Sequence, residues 1–152
     1  MWEVIMMEMF ISIVLLVFCC YFDIKNKSIP SNLLIVGVVV TALDMLLQGL
    51  LGNYQEILFD RIMGAIPGAM LLVLYFITNK KVGLGDGILL ITLGLLLGFG
   101  NILVIFCIGI FLQSLLACFL LVTKKADKQT QIPFVPFLML GNIFMILYVV
   151  AF

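Results

Sequence analysis

The chain has 152 residues, of which 65% are hydrophobic and 11% charged, with 8 basic and 8 acidic side chains. Soluble domains are about half apolar and a quarter charged, and so few charges could not keep a protein this hydrophobic dispersed in water. The zero formal net charge also excludes a nucleic-acid-binding protein as a reasonable interpretation. A membrane-spanning helix needs about 20 apolar residues, so we predict one polytopic domain over residues 1–152, embedded in the lipid bilayer.

Six apolar runs follow one another along the chain. They are Val4–Phe22, Leu33–Leu50, Ile62–Thr78, Gly87–Phe99, Ile102–Val122 and Phe134–Ala151. Lipid offers no partner for unpaired backbone groups, and the alternation that a barrel strand needs is absent, so the runs are predicted as helices. Glu3 and Glu8 stand where a signal peptide would carry positive charge, so we expect the first run to be retained as a span. The predicted fold class is an all-α integral membrane bundle of six transmembrane helices.

Basic residues fall in alternate connections between these runs. Every basic residue except Arg61 lies after the first, third or fifth run, at Lys25, Lys27, Lys80, Lys81, Lys124, Lys125 and Lys128. The positive-inside rule places these three connections in the cytoplasm and both termini outside. Most acids then lie toward the outer side, at Glu3, Glu8, Asp44, Glu56 and Asp60.

The fourth run is too short to cross a bilayer unaided. Gly87–Phe99 makes about 20 Å of helix, whereas the hydrocarbon core is about 30 Å thick. The span must therefore begin near Lys81, which draws Gly83, Leu84, Gly85 and Asp86 into the cytoplasmic edge of the membrane. We expect irregular, glycine-rich backbone there, beside a water-accessible pocket.

Two carboxylates are predicted at that edge. Asp23 ends the first run and Asp86 opens the fourth, on the same side and at similar depth. Two carboxylates that share a site hold a single proton between them, as in aspartic proteases, where one activates water and the other polarises the peptide carbonyl. Taken singly, Asp23 is explained as a helix-end charge beside lysines, and Asp86 as an acid at a helix N-terminus. Together, in a membrane protein, they favour catalysis.

Other chemistry is restricted by composition. The chain has no histidine, which removes Ser-His-Asp and Cys-His nucleophiles and the HExxH zinc site. Asp44 is interpreted as marking the outer interface or a polar helix contact, and Asp127 as a loop charge. Gly64 and Gly68, like Gly94 and Gly98, are predicted to allow close helix packing. The cysteines show no CxxC spacing and are predicted to be small buried side chains: Cys19, Cys20, Cys107 and Cys118.

Three segments together resemble the type IV prepilin peptidases, which are aspartic membrane endopeptidases. Asp23 followed by Ile29-Pro30 resembles the family's first aspartate motif, and Gly83-Leu84-Gly85-Asp86 resembles its GxGD motif. The segment Ile132–Gly141 (IPFVPFLMLG) is similar to the start of the family's last helix. The resemblance covers essentially the whole chain, and its order and spacing agree.

The resemblance implies that Asp23 and Asp86 are the catalytic pair. It also implies that Gly83, Gly85, Pro133 and Pro136 shape the site, although Pro133 is more simply explained as a helix-initiating residue. The expected substrate is a prepilin or prepilin-like precursor with a basic leader and a hydrophobic N-terminal helix. Cleavage is expected at the cytoplasmic face of a prokaryotic plasma membrane, with no metal or other cofactor.

Several features qualify the resemblance. Ile88 stands where the family often has lysine, and Ser31 where asparagine or aspartate is common. The paired CxxC motifs that larger members associate with N-methylation are absent, so the chain resembles the short, peptidase-only subgroup found with Flp/Tad-type pili. Two alternatives remain: a carrier or assembly factor that uses the two aspartates as an ion or proton site, and a presenilin-like protease with other membrane substrates.

Overall fold

A computed structural model describes residues 2–26, 29–51, 54–78, 83–123 and 132–151. These residues are almost entirely helical, as the sequence predicts. Their helices are α1 (Trp2–Asn26), α2 (Ser31–Leu51), α3 (Tyr54–Gly64), α4 (Ile66–Ile77), α5 (Leu84–Leu97), α6 (Phe99–Val122) and α7 (Val135–Ala151).

The third predicted run is two helices in the structure. A turn at Ala65 separates α3 from α4, and α3 begins at Tyr54, well before the predicted start at Ile62. Pro67 lies in the first turn of α4, where its missing N–H interrupts the helical hydrogen bonds that would otherwise continue from α3. The polar residues of α3 concealed its start, because Asp60 and Arg61 interrupt the apolar pattern on which the prediction relied.

Four segments of the described chain are long and apolar enough to cross a membrane. They are Val4–Asn26, Ser31–Leu50, Leu58–Ile77 and Phe99–Val122. Two shorter apolar helices, Leu84–Leu97 and Val135–Ala151, complete the set of six predicted runs. The described residues thus confirm an all-helical fold with four candidate membrane spans, whereas the number of complete crossings and the position of the termini stay predictions. Of the lysines used for topology, only Lys25 lies within the described residues.

Helix α5 lies at the centre of the bundle. It contacts α1, α2, α3, α4 and α6, and most of its residues from Gly87 onward are buried. The expected irregular backbone before Gly87 is wrong: only Gly83 is extended, and Leu84, Gly85 and Asp86 form the first helical turn. The carbonyl groups of this turn accept helical hydrogen bonds, as that of Gly83 does from the Gly87 N–H at 3.4 Å, whereas the first N–H groups of α5 have no acceptor within the helix.

Glycines allow the helices around α5 to approach closely. A Cβ atom on Gly94 would overlap the carbonyl oxygen of Gly64 in α3, and one on Gly68 would overlap the backbone nitrogen of Ile91. The packing role predicted for these glycines is therefore confirmed. Gly98 has a different role, since its φ of 79° ends α5 and lets the chain turn into α6.

Helix α7 joins α6 to α1 on one side of α5. Gly141 lies against the carbonyl oxygen of Ile105 in α6, and the buried Asn142 donates a hydrogen bond of 2.7 Å to Ser12 Oγ in α1. These contacts place the start of α7 beside the end of α1. The prediction of buried thiols is correct for Cys19 and Cys20 and wrong for Cys107 and Cys118, which are exposed on α6. Thiols are weakly polar and are tolerated on an outer helix face.

Candidate active site

Asp23 lies in the last turn of α1 and is buried, with 6% of its surface exposed. The backbone N–H of Val135, the first residue of α7, donates a hydrogen bond of 3.0 Å to Asp23 Oδ2. The backbone of Phe134, the preceding residue, also interacts electrostatically with this carboxylate. Unpaired N–H groups at a helix N-terminus bind carboxylates well, so the start of α7 fixes the orientation of Asp23.

Asp86 is the third residue of α5 and is half-buried. Its carboxylate folds back over Gly83, so that a Cβ atom at position 83 would lie 2.5 Å from Asp86 Oδ2. Asp86 also interacts electrostatically with Asp23. The structure therefore brings together the two acids that the sequence indicated, one from the end of α1 and one from the start of the central helix.

The Ile29-Pro30 segment packs against Gly85, the residue before Asp86. A Cβ atom on Gly85 would lie 3.3 Å from Ile29 Cβ, so this glycine allows the segment to pack on the first turn of α5. The Pro30 carbonyl accepts a hydrogen bond of 3.0 Å from the Leu33 N–H and thereby anchors the start of α2. The motif that follows Asp23 in the sequence therefore contacts the motif that contains Asp86.

The two prolines of the last motif flank the residues that bind Asp23. Pro136 lies in the first turn of α7, where its missing N–H leaves no helical acceptor unpaired, and Pro133 precedes the helix. The Phe134 carbonyl accepts a hydrogen bond of 3.1 Å from Phe137, and its ring packs edge-on against Phe106 of α6. The prolines thus border the N-terminus of α7. Among the described residues, the hydrogen bond to Asp23 comes from Val135 and not from either proline.

Comparison with known proteins agrees with this geometry. The type IV leader peptidase family matches residues 10–118, a region that contains both Asp23 and Asp86. The chain belongs to the type IV leader peptidase family. The proline segment lies beyond the matched region and rests on the resemblance alone. Neither the comparison with curated proteins nor that with solved structures gives a match.

The hydrogen bond from the Val135 N–H to Asp23 could not be predicted from the sequence. The donor is a main-chain N–H, which every residue except proline carries, so no residue type at position 135 signals it. The only available signal was the pair of prolines, which locate the start of a helix without showing what that start faces. Among the described residues, no group of three or more acid, cysteine or histidine side chains is placed to hold a metal ion.

Gly83 provides a test of how Asp86 is placed. Replacing it with alanine puts a methyl group 2.5 Å from the Asp86 carboxylate, which must then move. We expect Gly83→Ala to lower peptidase activity by about 10-fold or more, since a displacement of about 1 Å from productive geometry can cost about 10²-fold. The control is Gly100→Ala in α6, whose methyl group would meet no neighbouring atom within 4 Å. Equal activity of the two variants would contradict the placement.

Proposed function

We propose that this chain is a prepilin peptidase, a membrane aspartic endopeptidase in which Asp23 and Asp86 activate water. The proposal is supported chiefly by one observation: two acids far apart in the sequence lie together at one end of a helical bundle. Membership of a leader peptidase family supplies the reaction class, and the paired carboxylates supply the chemistry.

Hydrolysis by such a pair needs one proton shared between two carboxyl groups. The ionised carboxylate takes a proton from a water molecule, whose oxygen attacks the carbonyl carbon of the scissile peptide. The protonated carboxyl group donates a hydrogen bond to the carbonyl oxygen and stabilises the charge that develops on it. The C–N bond then breaks, and the departing nitrogen takes up a proton to leave as an amine. The shared proton is restored at the end, so neither acid is consumed.

The proposed reaction takes place at the cytoplasmic face of a prokaryotic plasma membrane. The positive-inside rule supports this, because Lys25 follows Asp23 by two residues, and the sequence predicts the two other lysine-containing connections on the same side of the membrane. The proposed substrate is a Flp-type or type IV prepilin whose hydrophobic helix enters the bilayer and whose basic leader stays at the surface. That arrangement would bring the leader junction to the depth of the two acids.

The test is co-expression with a Flp-type prepilin. Leader loss is measured by gel shift and by mass spectrometry of the product, and its occurrence supports the proposal. We expect cleavage to persist when a chelator is present. A carrier or assembly factor would leave the prepilin intact. A presenilin-like protease would cut a different membrane protein and spare the leader junction.

The hydrogen bond from Val135 to Asp23 can be removed without deleting either acid. Proline suits the first position of a helix but has no N–H, so Val135→Pro removes the donor and keeps α7. Val135→Ala keeps the donor while removing two buried methyl groups, so it controls for lost packing at this position. We expect processing to fall at least about 10-fold further in Val135→Pro than in Val135→Ala, as the loss of a charge-assisted hydrogen bond of about 1.5–3 kcal/mol implies. Comparable rates in the two variants would show that this hydrogen bond is dispensable.

A further inference from the structure

A second cluster of charged residues is buried at the opposite end of the bundle. Arg61 of α3 forms ion pairs with Glu8 of α1 and with Asp44 of α2, the latter at 2.6 Å. Gln48 donates hydrogen bonds to both acids, at 2.5 Å to Glu8 and 3.1 Å to Asp44. The three charged residues are each only 4–5% exposed. Of the two interpretations of Asp44 from the sequence, a polar contact between helices is therefore the one that the structure supports.

Arg61 is also attached to the central helix. Its guanidinium donates a hydrogen bond of 3.4 Å to the Leu95 carbonyl of α5. One turn further along α3, Gly64 lies in backbone contact with Gly94. The position of Arg61 relative to α5 is thus determined by a close helix contact, and its guanidinium reaches out from there to α1 and α2.

The helices that Arg61 joins are the ones that carry the two candidate catalytic acids. Glu8 and Asp23 lie on α1, separated by about 22 Å at 1.5 Å per residue, and Asp86 and Leu95 lie on α5, separated by about 13 Å. A helix transmits axial displacement along its length with little compression. A contact that stops α1 from sliding along α5 at the far end therefore also holds Asp23 level with Asp86.

We propose that Arg61 is a positioning residue, which fixes the axial register of α1 against α5 by binding Glu8 while docked on α5. The guanidinium suits this role because it is planar and donates from several N–H groups at once, so it can bind two carboxylates and a carbonyl together. A lysine ammonium could neutralise charge in the same place but would hold one partner at a time. The effect on cleavage rests on the proposed function, whereas the effect on register does not.

A crosslinking experiment tests the register without any substrate. The four native cysteines are replaced by alanine, Asp23→Cys and Asp86→Cys are introduced, and the rate of thiol crosslinking is measured in membranes. The tested variant combines Arg61→Met with Glu8→Gln and Asp44→Asn, so that no unpaired charge is left. We expect it to slow crosslinking between positions 23 and 86 at least fivefold. The control pair is Ser12→Cys with Asn142→Cys, which joins α1 to α7 through side chains in direct contact and should crosslink at an unchanged rate. An unchanged rate for the pair at positions 23 and 86 would overturn the proposal.

Kinetics then separate positioning from simple stability. For kinetics the triple variant is made with Asp23, Asp86 and the native cysteines in place. It removes the cluster without leaving a lone buried charge, so it should insert and fold. We expect its kcat for prepilin cleavage to fall about 10²-fold while KM changes less than threefold, and Arg61→Lys to recover only part of the loss. Wild-type kcat in the triple variant would overturn the proposal. If the wild-type chain cleaves no prepilin, only the proposed function fails, and crosslinking still decides the register.

Discussion

Asp23→Asn and Asp86→Asn should each abolish prepilin processing while the protein still inserts into the membrane. Asparagine has nearly the shape of aspartate but cannot take up or release the shared proton. General acid–base catalysis contributes about 10²–10⁴-fold, so the loss should reach at least that range and appear complete on a gel. Processing is measured by leader loss on co-expression, and insertion by the amount of protein in the membrane fraction.

The matched control for these variants is Asp60→Asn. Asp60 is an exposed acid of α3 that lies against Gly98, at the turn between α5 and α6 and away from Asp23 and Asp86. We expect this variant to process prepilin at the wild-type rate. Retained cleavage in either Asp23→Asn or Asp86→Asn would show that the two acids do not act as a catalytic pair.

Gly94→Ala should cause the largest loss of stability among single methyl additions to the central helix. The added methyl group would overlap the carbonyl oxygen of Gly64, which is backbone and cannot swing aside. The two helices must then separate, at a cost of about 2–3 kcal/mol, and the close packing that holds bundles together in lipid is lost. The measurement is thermal unfolding of the purified protein in detergent, monitored as the loss of folded monomer with temperature.

Gly100→Ala is the control for this stability prediction. Gly100 is a helical residue of α6, and no atom lies within 4 Å of the position that its Cβ would take. Alanine there should raise the free energy of unfolding slightly, by about 0.4–1 kcal/mol, because it restricts the unfolded chain. A Tm for Gly94→Ala equal to that of Gly100→Ala would contradict the backbone contact between α3 and α5.

The sequence predicted the helices where lipid decides the composition. Long apolar runs such as Leu33–Leu50 can form only helices in a bilayer, so α2 and α6 were found within a few residues. The third run was different, because α3 includes Arg61, which is buried against other helices and does not face lipid. Arg61 is stable there only through Glu8 and Asp44, which lie on other helices and are not visible in a local pattern.

The candidate site shows the same division. Asp23 and Asp86 could be predicted because unexplained acids at membrane depth are rare, and topology places them at one end of the bundle. The backbone donor at Val135 could not, since a main-chain N–H leaves no trace in composition. The helical start of α5 was also missed. Glycines are common in irregular loops, which is what the sequence predicted before Asp86, but they also occur in helices where another segment packs closely. Ile29 packed on Gly85 is that close contact.

The most direct measurement uses the purified chain in lipid vesicles with a synthetic Flp-type prepilin. Wild-type protein and Asp23→Asn are incubated with the substrate and a chelator, and the products are identified by mass spectrometry. The account predicts that wild-type protein releases the intact leader and one mature product, and that Asp23→Asn leaves the prepilin uncut. An uncut prepilin with folded wild-type protein, or equal cleavage by Asp23→Asn, would contradict it.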